Sequence, residues 1–439
     1  MPTFVYITHM LAFLLFILYT IIAVSVFNRV TRNYRNYLSK KQLTVSFILK
    51  LAFGVLYGLV FLHFYNGDDT WLYHWKALEI TKKLEQDPAA FFRLFYSSGG
   101  PDAETVFSAE PTSFWNNLIT ECYMRLLVLF NFLSFGNYYV TVVLFCSLVF
   151  TGHLLLYRLF THRFPEASRL LFIAIFLLPV ALFWLSGVRK DGVLFLGVSL
   201  SLYYFDRLLA EKITIKNLLL FIAGLSIIFL LRNFMLLCLL PAFAAWWLCS
   251  RFRLNAPVAF IALYLLAIAC FFLTSWLKGV PDLPEKVAQR QYRFMMLQGN
   301  TRLELDSLHA TPASYLHVLP QAIDHSFLRP YITEGRSFLH LASALDNLLF
   351  FGIALLVILF PRKGINAALK DPLLLACLFS SLAGYIFIGY IVPFPGAIVR
   401  YKVIFELLFF CSFAILLRPL VPVPSFRSWQ KEGKKSLSS

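Results

Sequence analysis

Charge is scarce in this sequence: 14% of its 439 residues are Asp, Glu, Lys or Arg, while 59% are hydrophobic and 17% aromatic. With a mean hydropathy of +0.71, that balance excludes a soluble globular domain and indicates a polytopic membrane protein. Other shortages narrow the chemistry. The seven cysteines include no CxxC pair, and all but Cys122 fall in apolar runs, so neither a disulfide framework nor a zinc site is implied. No HExxH spacing, glycine-rich phosphate loop, GxSxG elbow or kinase signature occurs. There is no N-x-Ser/Thr sequon, which favours a bacterial inner membrane over the secretory pathway. The leader 1–8 lacks Lys, Arg and a small-residue cleavage site, so the first apolar run reads as a span and not as a signal peptide.

What the chain does have is a series of apolar runs. Crossing about 30 Å of hydrocarbon takes roughly 20 residues at about 1.5 Å each. About eleven runs can be drawn as spans: 6–27, 44–64, 138–159, 170–185, 193–205, 217–231, 235–248, 257–276, 341–360, 372–392 and 398–417. The expected architecture is an all-α polytopic membrane protein, with one transmembrane domain over 1–418 and a basic tail over 419–439. Two long connections, about 65–136 and 278–340, carry expected amphipathic helices from Thr70, at 114–133 (lying in the headgroup plane), at 285–297 and at 313–323.

The net charge of +16 is a topology signal. Basic residues collect in short connections: Arg29, Arg32 and Arg35; Arg158, Arg163 and Arg169; Arg251 and Arg253; Arg362, Lys363 and Lys370; then Arg418 and the tail. Placing these inside satisfies the positive-inside rule and puts the N-terminus outside and the C-terminus inside. No nucleic-acid partner is expected. Every unusual polar cluster then falls on the outer face.

Four clusters carry candidate chemistry. Asp68 and Asp69 follow the second run, with Tyr73 and His74 about a turn later. A carboxylate there either deprotonates an acceptor hydroxyl or holds a divalent cation on a lipid diphosphate; alternatively, Asp69 only caps the helix beginning at Thr70. In Ser186 to Gly192, Arg189 and Lys190 precede a helix N-terminus, where side chains and backbone amides bind phosphate together. Basic turn residues can also simply snorkel to lipid headgroups, but these lie on the side the charge rule disfavours. Arg232 forms a third tip. Arg400 and Lys402 form a fourth, with Glu406 one turn on as an intrahelical partner for Lys402. The second long connection adds Arg329 and Arg336, with Asp324 and His325. The histidines read as interfacial or hydrogen-bonding residues, and no metal site is assigned.

At these residues the chain resembles bacterial envelope-polysaccharide membrane proteins and the GT-C class of lipid-linked glycosyltransferases. The stretches are GDDTWLYHWKA from Gly67, LFWLSGVRKDGVLFLGVSLSLYYF from Leu182, FLRPY from Phe327 and GAIVRYK from Gly396. The resemblance covers about a tenth of the chain. It implies a polyprenyl-(di)phosphate-linked sugar donor, a glycan or lipid acceptor, transfer at the outer face, and Asp68 or Asp69 activating the acceptor. One departure is that the acidic loop follows the second apolar run, where GT-C enzymes place it after the first. That leaves a polysaccharide polymerase of the Wzy or EpsG type as an alternative.

Rivals of other classes are a transporter or flippase and a non-catalytic synthase scaffold. A transporter would hold ionisable residues at mid-span, whereas Asp206, Asp346 and Glu406 are expected near span ends. If a shared ligand selects the polar clusters, Asp68 or Asp69 should lie within about 10 to 15 Å of two of Arg189, Arg232 and Arg400. The cavity between them should be partly roofed by 278–340.

Overall fold

The computed structural model describes residues 9–89, 114–210, 213–297, 301–334, 338–361 and 363–417. The leader 1–8, Arg336, Arg362, Arg418 and the tail 419–439 lie outside the described residues. Sixteen helices carry the argument: α1 His9–Val30, α2 Lys40–Phe64, α3 Asp68–Gln86, α4 Phe114–Ser134, α5 Tyr138–Arg163, α6 Ser168–Phe176, α7 Pro179–Trp184, α8 Lys190–Ala210, α9 Ile215–Arg232, α10 Phe234–Phe252, α11 Ala256–Leu273, α12 Leu283–Met296, α13 Pro312–Ile323, α14 Phe338–Leu359, α15 Pro372–Ile391 and α16 Pro395–Leu416. Among the described residues, nine of these are long and apolar enough to cross a membrane: α1, α2, α5, α8, α9, α10, α11, α14 and α15.

Local sequence sets their starts. Ser39 and Gln42 form a reciprocal capping box on α2. The Asn137 side chain accepts the Tyr139 and Val140 amides at the head of α5, and Asp371 does the same for Leu373 and Leu374 at α15. The expected run 170–185 is instead two short helices. Pro179 lacks an amide hydrogen and disfavours a helical residue before it, so Leu178 is extended and α7 starts afresh with Pro179 in its first turn. The last run is one helix of 22 residues, α16, but it holds Arg400, Lys402 and Glu406 within its length.

The helices run between two ends. At one, Arg163 pairs with Asp206 at 2.6 Å and Asp371 at 3.1 Å, tying the end of α5 to α8 and the start of α15. At the other, Gln291 of α12 donates to the Tyr390 carbonyl at 2.9 Å, and the Leu303 amide donates to the Pro393 carbonyl at 2.8 Å. The long connections therefore fold onto this second end, called the loop end below. α4 packs on α3 and α5 with Tyr123, Met124, Leu127 and Val128 buried. α8 and α9 touch along Gly197, Ser201 and Gly224, the close approach of small residues typical of helix pairs in lipid. α15 and α16 are largely buried, whereas α1, α9, α11 and α14 expose apolar faces.

Ionisable residues are not confined to span ends. Lys50 is 1% exposed in the middle of α2, and donates to the Leu185 carbonyl and Ser186 Oγ at 3.0 and 3.3 Å. A cation there meets the free carbonyls that close α7. Asp346 and Glu406 are likewise buried well inside α14 and α16, which corrects their expected placement near span ends.

Candidate functional site

The site begins with a strained turn. Asn66, Gly67 and Asp68 have φ of 50°, 95° and 39°, and this left-handed run reverses the chain at the end of α2. α3 therefore starts at Asp68, two residues earlier than a cap at Asp69 requires. Gly67 is the N-cap, and no side chain caps the helix. The capping reading of Asp69 is thus corrected: both carboxylates are free to point at α8, and both oppose Arg189.

Arg189 is held from below and above. Its turn crosses Tyr57 so closely that a Cβ on Gly187 would sit 2.5 Å from the ring, which is why glycine stands there. The Arg189 guanidinium is 2% exposed. It donates to Tyr57 Oη at 2.7 Å, to Asp68 at 2.7 Å and to Asp69. Asp191 lies 4.0 Å away. Burial opposes this charge, but Tyr57, Asp69, Asp68 and Asp191 outweigh burial, and the pKa of Arg189 rises well above its usual value.

Asp191 is the second hub. It takes Arg232 at 2.7 Å and Arg400 at 3.5 Å, and Arg400 also reaches Asp69 at 3.3 Å. Arg232 lies over the Tyr401 ring at 4.0 Å. Asp69 is thus in direct contact with Arg189 and Arg400, and joined to Arg232 through Asp191. The side chains of Asp68 and Asp69 keep 34% and 36% exposure against 2% for Arg189, so the carboxylates face outward from a buried cationic base.

These groups line a cavity of about 190 Å³. Its polar wall is Asp69, Tyr73, Arg189, Lys190, Asp191, Arg232, Arg290 and Arg400; Phe294, Phe387 and Ile391 belong to its apolar wall. Arg290 and Phe294 come from α12, so the second long connection does contribute the roof. Two cations in this wall have no carboxylate at ion-pair distance among the described residues. Lys190 reaches Thr120 Oγ1 at 3.4 Å and lies over the Tyr73 ring. Arg290 has a long contact of 3.5 Å to Asn233 Oδ1 and lies over the Phe234 ring. Burial pushes the Arg290 pKa down, Tyr401 opposes this, and Arg232 adds to the fall. Burial and Asp69 push the Tyr73 hydroxyl up.

Three expected site residues sit elsewhere. His74 is buried against Trp71 and Tyr138, and burial pushes its imidazole down to about 4. Arg329 pairs with Asp324 at 2.8 Å and Glu334 at 2.9 Å on the long connection. Lys402 is 1% exposed and donates to Asn347 Oδ1 at 2.7 Å and the Ser326 carbonyl at 3.3 Å, so these, and not Glu406, are its hydrogen-bond partners. Sequence reasoning missed Asp191 and Arg290. Asp191 was legible as the acidic member of Arg-Lys-Asp at a helix start, whereas Arg290 is one of several cations in an amphipathic stretch and has no distinguishing signal.

Among the described residues no group of three or more His, Cys, Asp or Glu is placed to hold a metal ion. Asp68, Asp69 and Asp191 converge, but they turn their oxygens to arginines. No family model matches the chain, and neither a curated protein nor a solved structure matches it.

Proposed function

We propose that this chain is a glycosyltransferase of a bacterial inner membrane that uses a polyprenyl-(di)phosphate-linked sugar to build or modify a surface polysaccharide. In this reading α6 with α7 and α16 are further crossings, and the loop end is the outer face. One observation carries the reading: carboxylates and guanidiniums from five distant segments meet at one small cavity. Five cationic side chains against Asp68, Asp69 and Asp191 leave an excess of two positive charges, which favours an anionic headgroup. The apolar wall suits the start of a polyprenyl chain.

The chemistry follows from the contacts. Asp69 gives one oxygen, Oδ2, to both Arg189 and Arg400, and among the described residues its Oδ1 takes no hydrogen bond. A bound phosphate competes for Arg400 and loosens Asp69. The carboxylate then accepts the acceptor's hydroxyl proton as that oxygen attacks the anomeric carbon. The bond from that carbon to the carrier phosphate breaks, and the departing (di)phosphate keeps the electron pair against Arg400, Arg290 and Lys190. Attack opposite the leaving group inverts the anomeric centre. The test is release of polyprenyl diphosphate from a panel of lipid-linked sugars by protein in nanodiscs. Asp69→Asn should abolish it, and an Arg400→Gln protein with full activity removes the assignment.

A second reading, a proton-coupled carrier for an anionic lipid or glycan, is favoured by the buried pair Asp346 and Glu406, since such groups mark pathways in transporters. Flux of labelled lipid in liposomes without sugar transfer would select it. A scaffold without chemistry predicts normal glycan output from a protein lacking both Asp68 and Asp69.

A further inference from the structure

Away from the cavity, α14, α15 and α16 enclose a second polar group. Glu406 is 0% exposed, Tyr385 1% and Asp346 9%. Asp346 lies against Glu406, and Tyr385 is beside both. Beyond one another, Glu406 Oε1 and Oε2, Asp346 Oδ2 and Tyr385 Oη have no hydrogen-bond partner among the described residues. Two buried carboxylates that face each other, with one tyrosine hydroxyl as the donor beside them, are costly. Lys402, the neighbouring cation, is already committed to Asn347 and Ser326.

Charge counting identifies what is missing. With both carboxylates ionised, the group of Lys402, Asp346 and Glu406 has a net charge of minus one in a water-poor interior, where an unbalanced charge is expensive. Among the described residues no further cation offsets it: the π-helical turn Asp324–Leu328 that packs on α16 brings only the buried imidazole of His325 and the Asp324 carboxylate, which is bonded to Arg329. α15 presents Tyr385, and α6, which also packs on α16, has Arg169 as its one charged residue, at its first turn. α7 has none, and α8 approaches α16 through Asp191, near Arg400. One added monovalent cation restores neutrality. A proton fits better than a metal ion, because it needs no shell of oxygen ligands and gives the trapped oxygens the donor they lack.

The turn packed on α16 beside this group carries further titratable side chains. Residues Asp324–Leu328 form a π-helical turn, a rare distortion that recurs at functional sites. Ser326 in that turn receives Lys402 through its carbonyl. His325 beside it is 3% exposed, with Nδ1 lacking a hydrogen bond. Asp324 follows at the surface, bonded to Arg329 and to Tyr331.

We propose that Asp346 and Glu406 form an interior site that binds one exchangeable proton, reached from the loop end through Asp324 and His325. The site does not depend on the glycosyltransferase reading. α16 joins the two places, since Arg400 and Tyr401 line the cavity and Glu406 lies about 9 Å further down the helix, six residues at about 1.5 Å each.

The experiment is infrared difference spectroscopy of the full chain in nanodiscs at neutral pH, in H₂O and D₂O, without added substrate. The expected result is one protonated-carboxyl carbonyl band that shifts on deuteration. Glu406→Gln and Asp346→Asn should each remove it, and His325→Gln should slow its exchange severalfold. Absence of the band in the unaltered protein, its survival in both carboxamide variants, or its removal by sodium chloride at constant pH overturns the proposal. Unchanged exchange in His325→Gln overturns the route. Because the unaltered protein already gives a decisive reading, a variant that fails to fold does not obscure the outcome. Farnesyl diphosphate binding, measured in parallel, reports on the cavity alone, so either idea can fail while the other stands.

Discussion

Arg290→Gln separates binding from stability, because the two should move in opposite directions. Arg290 is a mostly buried cation with no ion pair among the described residues, a 3.5 Å contact to Asn233 as its hydrogen bond, and Arg232 as a like-charged neighbour. An under-satisfied buried polar group costs about 1–3 kcal/mol, and more when charged. Glutamine keeps much of the stem and removes the charge, so thermal stability in nanodiscs should rise by about 1 kcal/mol or more. The same guanidinium lines the cavity, where a charge-assisted contact to phosphate contributes about 1.5–3 kcal/mol. At about 1.4 kcal/mol per tenfold, the affinity for farnesyl diphosphate should fall by about tenfold to a hundredfold. Calorimetric titration and a melting curve on the same preparation give both numbers. A variant that melts lower and binds as well as the parent refutes the reasoning, because Arg290 would then be a structural cation.

Other perturbations follow from the same contacts. Asp206→Asn breaks a pair at the opposite end of the bundle, and should lower the melting temperature while leaving farnesyl diphosphate affinity unchanged. Gly187→Ala forces a Cβ to within 2.5 Å of Tyr57; it should lose about 1–3 kcal/mol of stability, measured by melting. His74 is buried neutral with its pKa pushed from an ordinary 6.5 to about 4. Its contribution, about 3 kcal/mol at most, is complete above pH 6.5 and is lost as pH falls towards 4, since the unfolded chain takes up the proton first. His74→Gln should flatten the stability profile in that window, and an unchanged acid slope contradicts the assignment.

The expectation of an all-helical membrane protein came from composition and run length alone, because a bilayer leaves the backbone few ways to satisfy its hydrogen bonds other than within helices. The starts of α12 and α13 are set by Asp282 and Thr311 as caps and by the prolines that follow them, whose effects reach only a turn or so; α3 has no capping side chain, so its start was not legible in this way. The break between α6 and α7 was signalled by Pro179, but its depth was not, because Lys50 from another helix closes α7. Pattern could also single out Asp68, Asp69, Arg189, Arg232 and Arg400 as residues out of place in apolar surroundings. It could not pair them: ion pairs between residues up to 331 positions apart depend on how helices stack, and a carboxylate looks the same in sequence whether it caps its own helix or meets a distant guanidinium. Packing decided that Asp69 meets Arg189 and Arg400, that Lys402 turns away to Asn347, and that Arg290 arrives from the long connection. It also brought Asp346 beside Glu406, since side chains from separate helices become neighbours only when the bundle has closed around them.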